Sequence, residues 1–364
     1  MLKHFSFSLI FTLVCLILAG VWGFSHGVNA GLEMMLKVLF ITIVLAVMEV
    51  SLSFDNAVVN ASVLKHWDEF WKKLFLTVGV LIAVFGMRLV FPIVIVAVTA
   101  NMGFFQVIDM AIDSPAEYSA RLKAHHAEIS AFGGMFLLLV FLNFLFDAEK
   151  DTHWFKWIET KFSKLANIQS ITVFIAICVM VLATSMVPET HQLKVALACA
   201  WGLIVYLGVQ VLCELLAKDD DDDAEGTEKS NASEIPKGVV KAGIGGFLYL
   251  EVLDASFSFD GVIGAFAITS DVVIIMLGLA IGAMFVRSMT IYLVDNGTLD
   301  AYKYLEHGAH YAIGALAVIM MLAVIDVHVP EVFTGLIGVA FIVWAIFASI
   351  KEKKKEALQE SVSE

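Results

Sequence analysis

The sequence predicts an all-α, polytopic membrane bundle of about ten transmembrane helices, with an inverted internal repeat and helices interrupted at two acidic motifs. Three observations carry this. Of the 364 residues, 60% are hydrophobic and 16% charged, where soluble domains carry roughly 45–50% and about 25%. The charges gather between apolar runs of spanning length. Finally, "MEVSLSFDNAVV" at 48–59 returns as "LDASFSFDGVIG" at 253–264.

Residues 1–30 hold Lys3, an apolar run and "VNA" at 28–30. They read either as a first span or as a signal peptide with a small-residue cleavage site. The first half, 31–217, has apolar runs at about 33–63, 74–100, 128–147, 168–187 and 192–216. Phe91-Pro92 predicts a kink in the second of these, and 101–127 an outer loop with a short amphipathic helix. The segment 218–237, "KDDDDDAEGTEKSNASEIPK", reads as an acidic, flexible cytoplasmic linker. The second half, 238–350, has runs at about 239–269, 271–294, 309–327 and 331–350, and 351–364 is a charged cytoplasmic tail. With the N-terminus inside, 17 of the 23 Lys and Arg fall in cytoplasmic segments. That bias supports the span count and puts both termini in the cytoplasm. The net charge of −13 includes no basic patch for nucleic acid, so the expected partner is the bilayer. Four cysteines without a C-x-x-C pair read as buried packing.

Aligning Asp55 with Asp260 pairs Glu49 with Asp254, Ser51 with Ser256, Ser53 with Ser258, and Asn56 with Gly261. Arg88 and Arg287 then match in the following helices, and His126 and His307 each precede a glycine by seven residues. The two motif spans are five crossings apart, so the copies run in opposite directions. Inverted repeats with polar, interrupted helices mark secondary transporters, whose substrate site lies at the repeat interface.

A charge at a helix centre costs about 2.5–3.5 kcal/mol on insertion scales. Glu49, Asp55, Glu251, Asp254 and Asp260 against Arg88 and Arg287 sum to −3. A bound divalent cation leaves −1, and one shared proton completes the balance. Glu49 and Asp55, six apart, would be offset by about 120° in a continuous helix, whereas Glu251 and Asp254 share a face. The spacing therefore predicts unwinding around "SFDN" and "SFDG", with Asn56 and backbone carbonyls joining the carboxylates as ligands. An all-oxygen set suits Mn²⁺, Ca²⁺ or Mg²⁺. The competing reading has Asp55 and Asp260 in structural pairs with Arg88 and Arg287. The motif serines are expected to bond back to their own helices, and Asn60 and Asn143 to bond between helices. His126 and His307, at span ends, are candidate proton relays beside the plainer reading of solvated histidines.

With these motifs the chain resembles the TerC family of membrane proteins, within the wider LysE-like transporter group, from Leu32 to about Asp326. The family pattern is an acidic residue, five residues, then "D-N" in the first copy and "D-S" in the second. Glu49, Asp55 and Asn56 fit the first; Asp254 and Asp260 fit the second, with Gly261 replacing the serine. The resemblance implies a divergent branch and manganese export from a bacterial inner membrane. No P-loop G-x-x-x-x-G-K-[ST] is present, so transport would use a gradient or a partner. No H-E-x-x-H, Ser-Lys or G-x-S-x-G pattern suggests an enzyme. The expected function is export of a divalent metal, Mn²⁺ first, as transported ion. The alternative is a membrane scaffold or stress-response protein with structural Asp–Arg pairs.

Overall fold

The computed structural model describes residues 2–25, 31–99, 102–147, 152–163, 170–221, 243–327 and 329–363, and these contain helices and no strand. Helix α1 (Leu2–Ser25) is built into the bundle. Its buried Ser8 donates to the Met284 carbonyl at 2.6 Å and meets Ser288 Oγ at 2.6 Å. Near its other end Trp22 Nε1 donates to Asp271 at 2.9 Å.

The expected second span divides into α2 (Leu32–Leu52) and α3 (Phe54–Leu64), broken at Ser53. The third begins as α4 (Glu69–Leu74), capped by Asp68 accepting from Trp71 N at 3.2 Å. It continues through wide π-helical turns at Phe75–Gly79 and Ile82–Val90 into α5 (Phe91–Thr99). Pro92 has no N–H to return, and it stands where the wide turns give way to α-helix. The segment expected as an outer loop holds two helices rather than one, α6 (Phe104–Asp113) and α7 (Pro115–Ala124), with Pro115 starting the second. Then follow α8 (His126–Leu145), α9 (Lys156–Ser163), α10 (Ile171–Met186) and α11 (Glu189–Asp221). The second half supplies α12 (Ile244–Ile268), α13 (Val272–Asp295), α14 (Thr298–Ala301), α15 (Leu305–Val324) and α16 (Glu331–Ser363).

Among the described residues, eight helices are long and apolar enough to cross a membrane. This is an all-α, multi-pass membrane bundle. Of the ten expected spans, α10 has only 16 residues, about 24 Å against ~30 Å of hydrocarbon. The other, α12, has 25 residues but carries the second motif's acids. Helix α11 runs on through Lys218 to Asp221; the rest of the acidic linker, 222–237, lies outside the described residues. The expected tail is a continuation of α16. Cys15 and Cys199 are buried as expected, but Cys178 is exposed on the apolar face of α10.

The helix pairing repeats. Helix α2 packs on α13 as α12 packs on the π-helical third span, and α8 packs on its counterpart α15. Helix α11 sits against α8 and α12 as α16 sits against α15 and α2. Small residues allow the close approach of α2 and α13. A Cβ on Gly278 would lie 2.6 Å from Leu45 Cβ, and one on Gly282 would lie 2.5 Å from Glu49 Cβ. Between membrane helices such contact supplies the packing that apolar burial cannot.

Gly278→Val should therefore cost about 1–3 kcal/mol by overpacking. Gly208→Ala, where a Cβ meets nothing within 4 Å, should leave the melt in detergent unchanged or slightly raised.

Candidate ion site

The first motif's break sets the geometry. Ser53 leaves helical geometry at φ −107° and ψ 16°, and its N–H still reaches the Glu49 carbonyl. Its hydroxyl donates to Glu49 Oε1 at 3.0 Å rather than to its own backbone. Ser51 and Ser256 do bond back as expected, at 2.9 Å to the Val47 and Val252 carbonyls. The second motif is a correction: α12 runs unbroken through "SFDG". Gly261 serves close approach there instead of a hinge. A Cβ on it would fall 2.5 Å from Glu49 Oε2.

Glu49 is thus pressed between Gly261 and Gly282, and its Oε1 is ion-paired with Arg88 Nη2. The two side chains are 1% and 3% exposed. Arg88 Nη1 also donates to the Ala83 carbonyl at 2.7 Å, within the π-helical stretch. Across the halves, Asn56 Nδ2 donates to Asp254 Oδ1, and Asp254 lies within the fields of both Arg88 and Glu49. Three oxygens of this group, Glu49 Oε2, Asn56 Oδ1 and Asp254 Oδ2, are buried without a close hydrogen bond, and the Ser258 hydroxyl stands near Asp254. They come from α2, α3 and α12.

One turn along, Glu251 lies against Gly79 and, with Asn60, Asp254, Arg88 and Arg287, lines a small cavity. Asp55 points elsewhere. Its Oδ1 accepts from Asn56 N at 3.0 Å, and its Oδ2 is 3.5 Å from where a Cβ on Gly338 of α16 would stand. The side chain of Asp260 lies outside the described residues. Among those described, no three His, Cys, Asp or Glu side chains form a ready-made metal cluster.

The arginine pairing differs from the structural-pair expectation. Arg88 takes Glu49, not Asp55, which instead lies toward Gly338 of α16. Arg287 donates from Nε to the Leu76 carbonyl at 2.5 Å and lies 5.5 Å from the Phe7 ring centroid. The histidines stand apart from the ion group and from each other. His126 contacts Ser130 at 3.3 Å near the start of α8. His307 is buried on α15, with Nε2 2.9 Å from the Thr152 carbonyl and 3.8 Å from Glu159 Oε2. Glu159 itself was not legible, since it sits on the short, charge-rich helix α9, outside the apolar runs of spanning length. Asn143 meets Tyr206 between α8 and α11, as expected of an interhelical amide.

A family described as a protein of unknown function, DUF475, matches residues 54–356. The chain belongs to this family. Its match takes in Asp55, Asn56 and the whole second motif and begins after Glu49. A relative from Bacillus subtilis (strain 168), the uncharacterized membrane protein YceF, is 26% identical over 161 residues. That stretch is 44% of this chain and 60% of the relative, so less than two thirds of the relative's length is covered. No solved structure matches. For this DUF475 member, the likeness to TerC rests on the two motifs.

Removing one partner of a buried ion pair leaves an uncompensated charge and costs about 3–5 kcal/mol. Arg88→Met should show a loss of that size in detergent melts. Glu49→Gln combined with Arg88→Met should recover a large part of it. Additive losses would mean that the two side chains do not interact.

Proposed function

We propose that this protein is a secondary transporter of divalent metal cations, with Mn²⁺ as the leading ion and Ca²⁺ or Mg²⁺ as chemically similar alternatives. The observation that carries the reading is the set of three unpartnered oxygens, Glu49 Oε2, Asn56 Oδ1 and Asp254 Oδ2. An unsatisfied buried polar group costs about 1–3 kcal/mol. One oxygen-seeking cation would satisfy all three at once, and two carboxylates with an amide and no thiol suit a hard ion. Among the described side chains, Glu49, Asp55, Glu251 and Asp254 against Arg88 and Arg287 leave a formal −2, which one divalent cation neutralises.

In this account, Arg88 holds Glu49 in place while the ion is absent. The break at Ser53 and the π-helical third span are the soft points about which the halves rock. A gradient drives the cycle. The likeness to TerC favours Mn²⁺ and export across a bacterial inner membrane, and the lysine-rich loops favour cytoplasmic termini. The scaffold reading has one observation in its favour, since Glu49–Arg88 is a pair of the structural kind. It leaves the three oxygens without a purpose.

The test is Mn²⁺ flux into liposomes holding the purified full chain. Asp254→Asn and Asn56→Leu should each slow it at least tenfold while both proteins still insert. Wild-type rates in both variants would discard the site, and no flux in the wild type would discard the transporter.

A further inference from the structure

The pairing of Asn56 with Asp254 is repeated one helical turn away. Asn60 lies four residues after Asn56 on α3, and Glu251 three residues before Asp254 on α12. Neighbours at those spacings stack on one helix face. Advancing along α3 while retreating along α12 is the register expected of an antiparallel pair. Asn60 and Glu251 do line the same cavity, with Asp254 between the layers. Both are more than nine-tenths buried, at 5% and 8% exposure. Both Glu251 oxygens and Asn60 Oδ1 lack a hydrogen-bond partner. The cavity measures about 30 Å³, room for a small ion with a water or two. Gly79, in the wide turn of the third span, has no Cβ to take up the space beside Glu251.

We propose that this second layer is a site for one small monovalent cation of the size of Na⁺, distinct from the divalent site beside it. Its ligands are the Glu251 carboxylate and Asn60 Oδ1. Thr290, whose hydroxyl hydrogen goes to the Val286 carbonyl at 3.0 Å, offers its lone pairs from the cavity wall. The occupant is limited in charge as well as in size. Arg287 lines the same cavity and is held there by the Leu76 carbonyl. Glu251 and Asp254 against Arg88 and Arg287 leave the lining formally neutral, and with no surplus negative charge to offset it the desolvation of a double charge costs far more than that of a single one. Discontinuous helices in secondary transporters commonly hold a coupling ion next to the substrate. One divalent ion balances the formal −2 of Glu49, Asp55, Glu251 and Asp254 against Arg88 and Arg287, whereas one Na⁺ leaves −1, so an electroneutral exchange would need a second single charge, such as a proton, to travel with Na⁺. That coupling role rests on the transporter reading; the binding site does not.

Thermal stability of the purified full chain, without divalent metal, tests the site. Sodium chloride should raise the melting temperature saturably above matched choline chloride. Glu251→Gln and Asn60→Ala should each weaken the half-saturating Na⁺ at least tenfold. Asp55→Asn, on the α16 side, should keep the response, which also guards against a general loss of fold. Equal effects of Na⁺ and choline on the wild type would overturn the proposal and leave only water in the cavity. A full Na⁺ response in both Glu251→Gln and Asn60→Ala would overturn the assignment of ligands. A Na⁺ response with no Mn²⁺ flux would uphold the site while removing the divalent reading.

Discussion

Hydrocarbon gives a bare charge nothing to bond with, so every ionised group in a spanning helix must find a partner within the protein. Glu49 and Arg88 meet that demand for each other, and their meeting dictates much of what surrounds them. To reach Arg88, Glu49 must project from α2 into the crowded ground between α12 and α13. It can do so only because Gly261 and Gly282 stand where side chains would collide with it. Ser53, released from the helix one turn later, supplies its hydroxyl to the same carboxylate. Arg88 in turn ties itself to the Ala83 carbonyl in the widened third span. A short stretch of each half is thus shaped around one ion pair.

The pair does not exhaust the acids, and this is where structure turns toward function. Asp254 has one oxygen on Asn56, with the other left over, and Glu251 has both left over. A protein that needed only stability could have replaced these groups with apolar ones of similar shape, often at no loss. Their retention in two stacked layers, each an asparagine opposite an acid, gives a polar column along α3 and α12. The second arginine does not close the account: Arg287 spends a donor on the backbone of the π-helical turn.

Much of this was legible in the sequence, and the failures have physical causes. Composition and lysine placement were enough for a multi-pass bundle, and the echo of "SFDN" in "SFDG" marked the two helices that meet. The break in the first copy was readable from the six-residue spacing of Glu49 and Asp55, although Ser53 bonds there to the Glu49 carboxylate and not to the backbone. The same reasoning failed in the second copy, because a glycine loosens a helix and admits a neighbour equally well, and only the neighbour, Glu49, decides between them. The π-helical turns left no trace, since a widened turn shifts the backbone hydrogen bonds by one residue without demanding any particular side chain. Asn60 was visible as a residue but not as a ligand candidate, because its relation to Glu251 depends on the register of α3 against α12. The histidines were matched by spacing alone, and in space they join different neighbourhoods.

The central claim is that the surplus buried oxygens between the motifs are there for a cation. Metal content counted after equilibrating the purified protein with Mn²⁺ and removing free ion measures this directly. The account predicts close to one Mn²⁺ per chain for the wild type and almost none for Asp254→Asn. A wild-type protein that retains no more metal than that variant would contradict it.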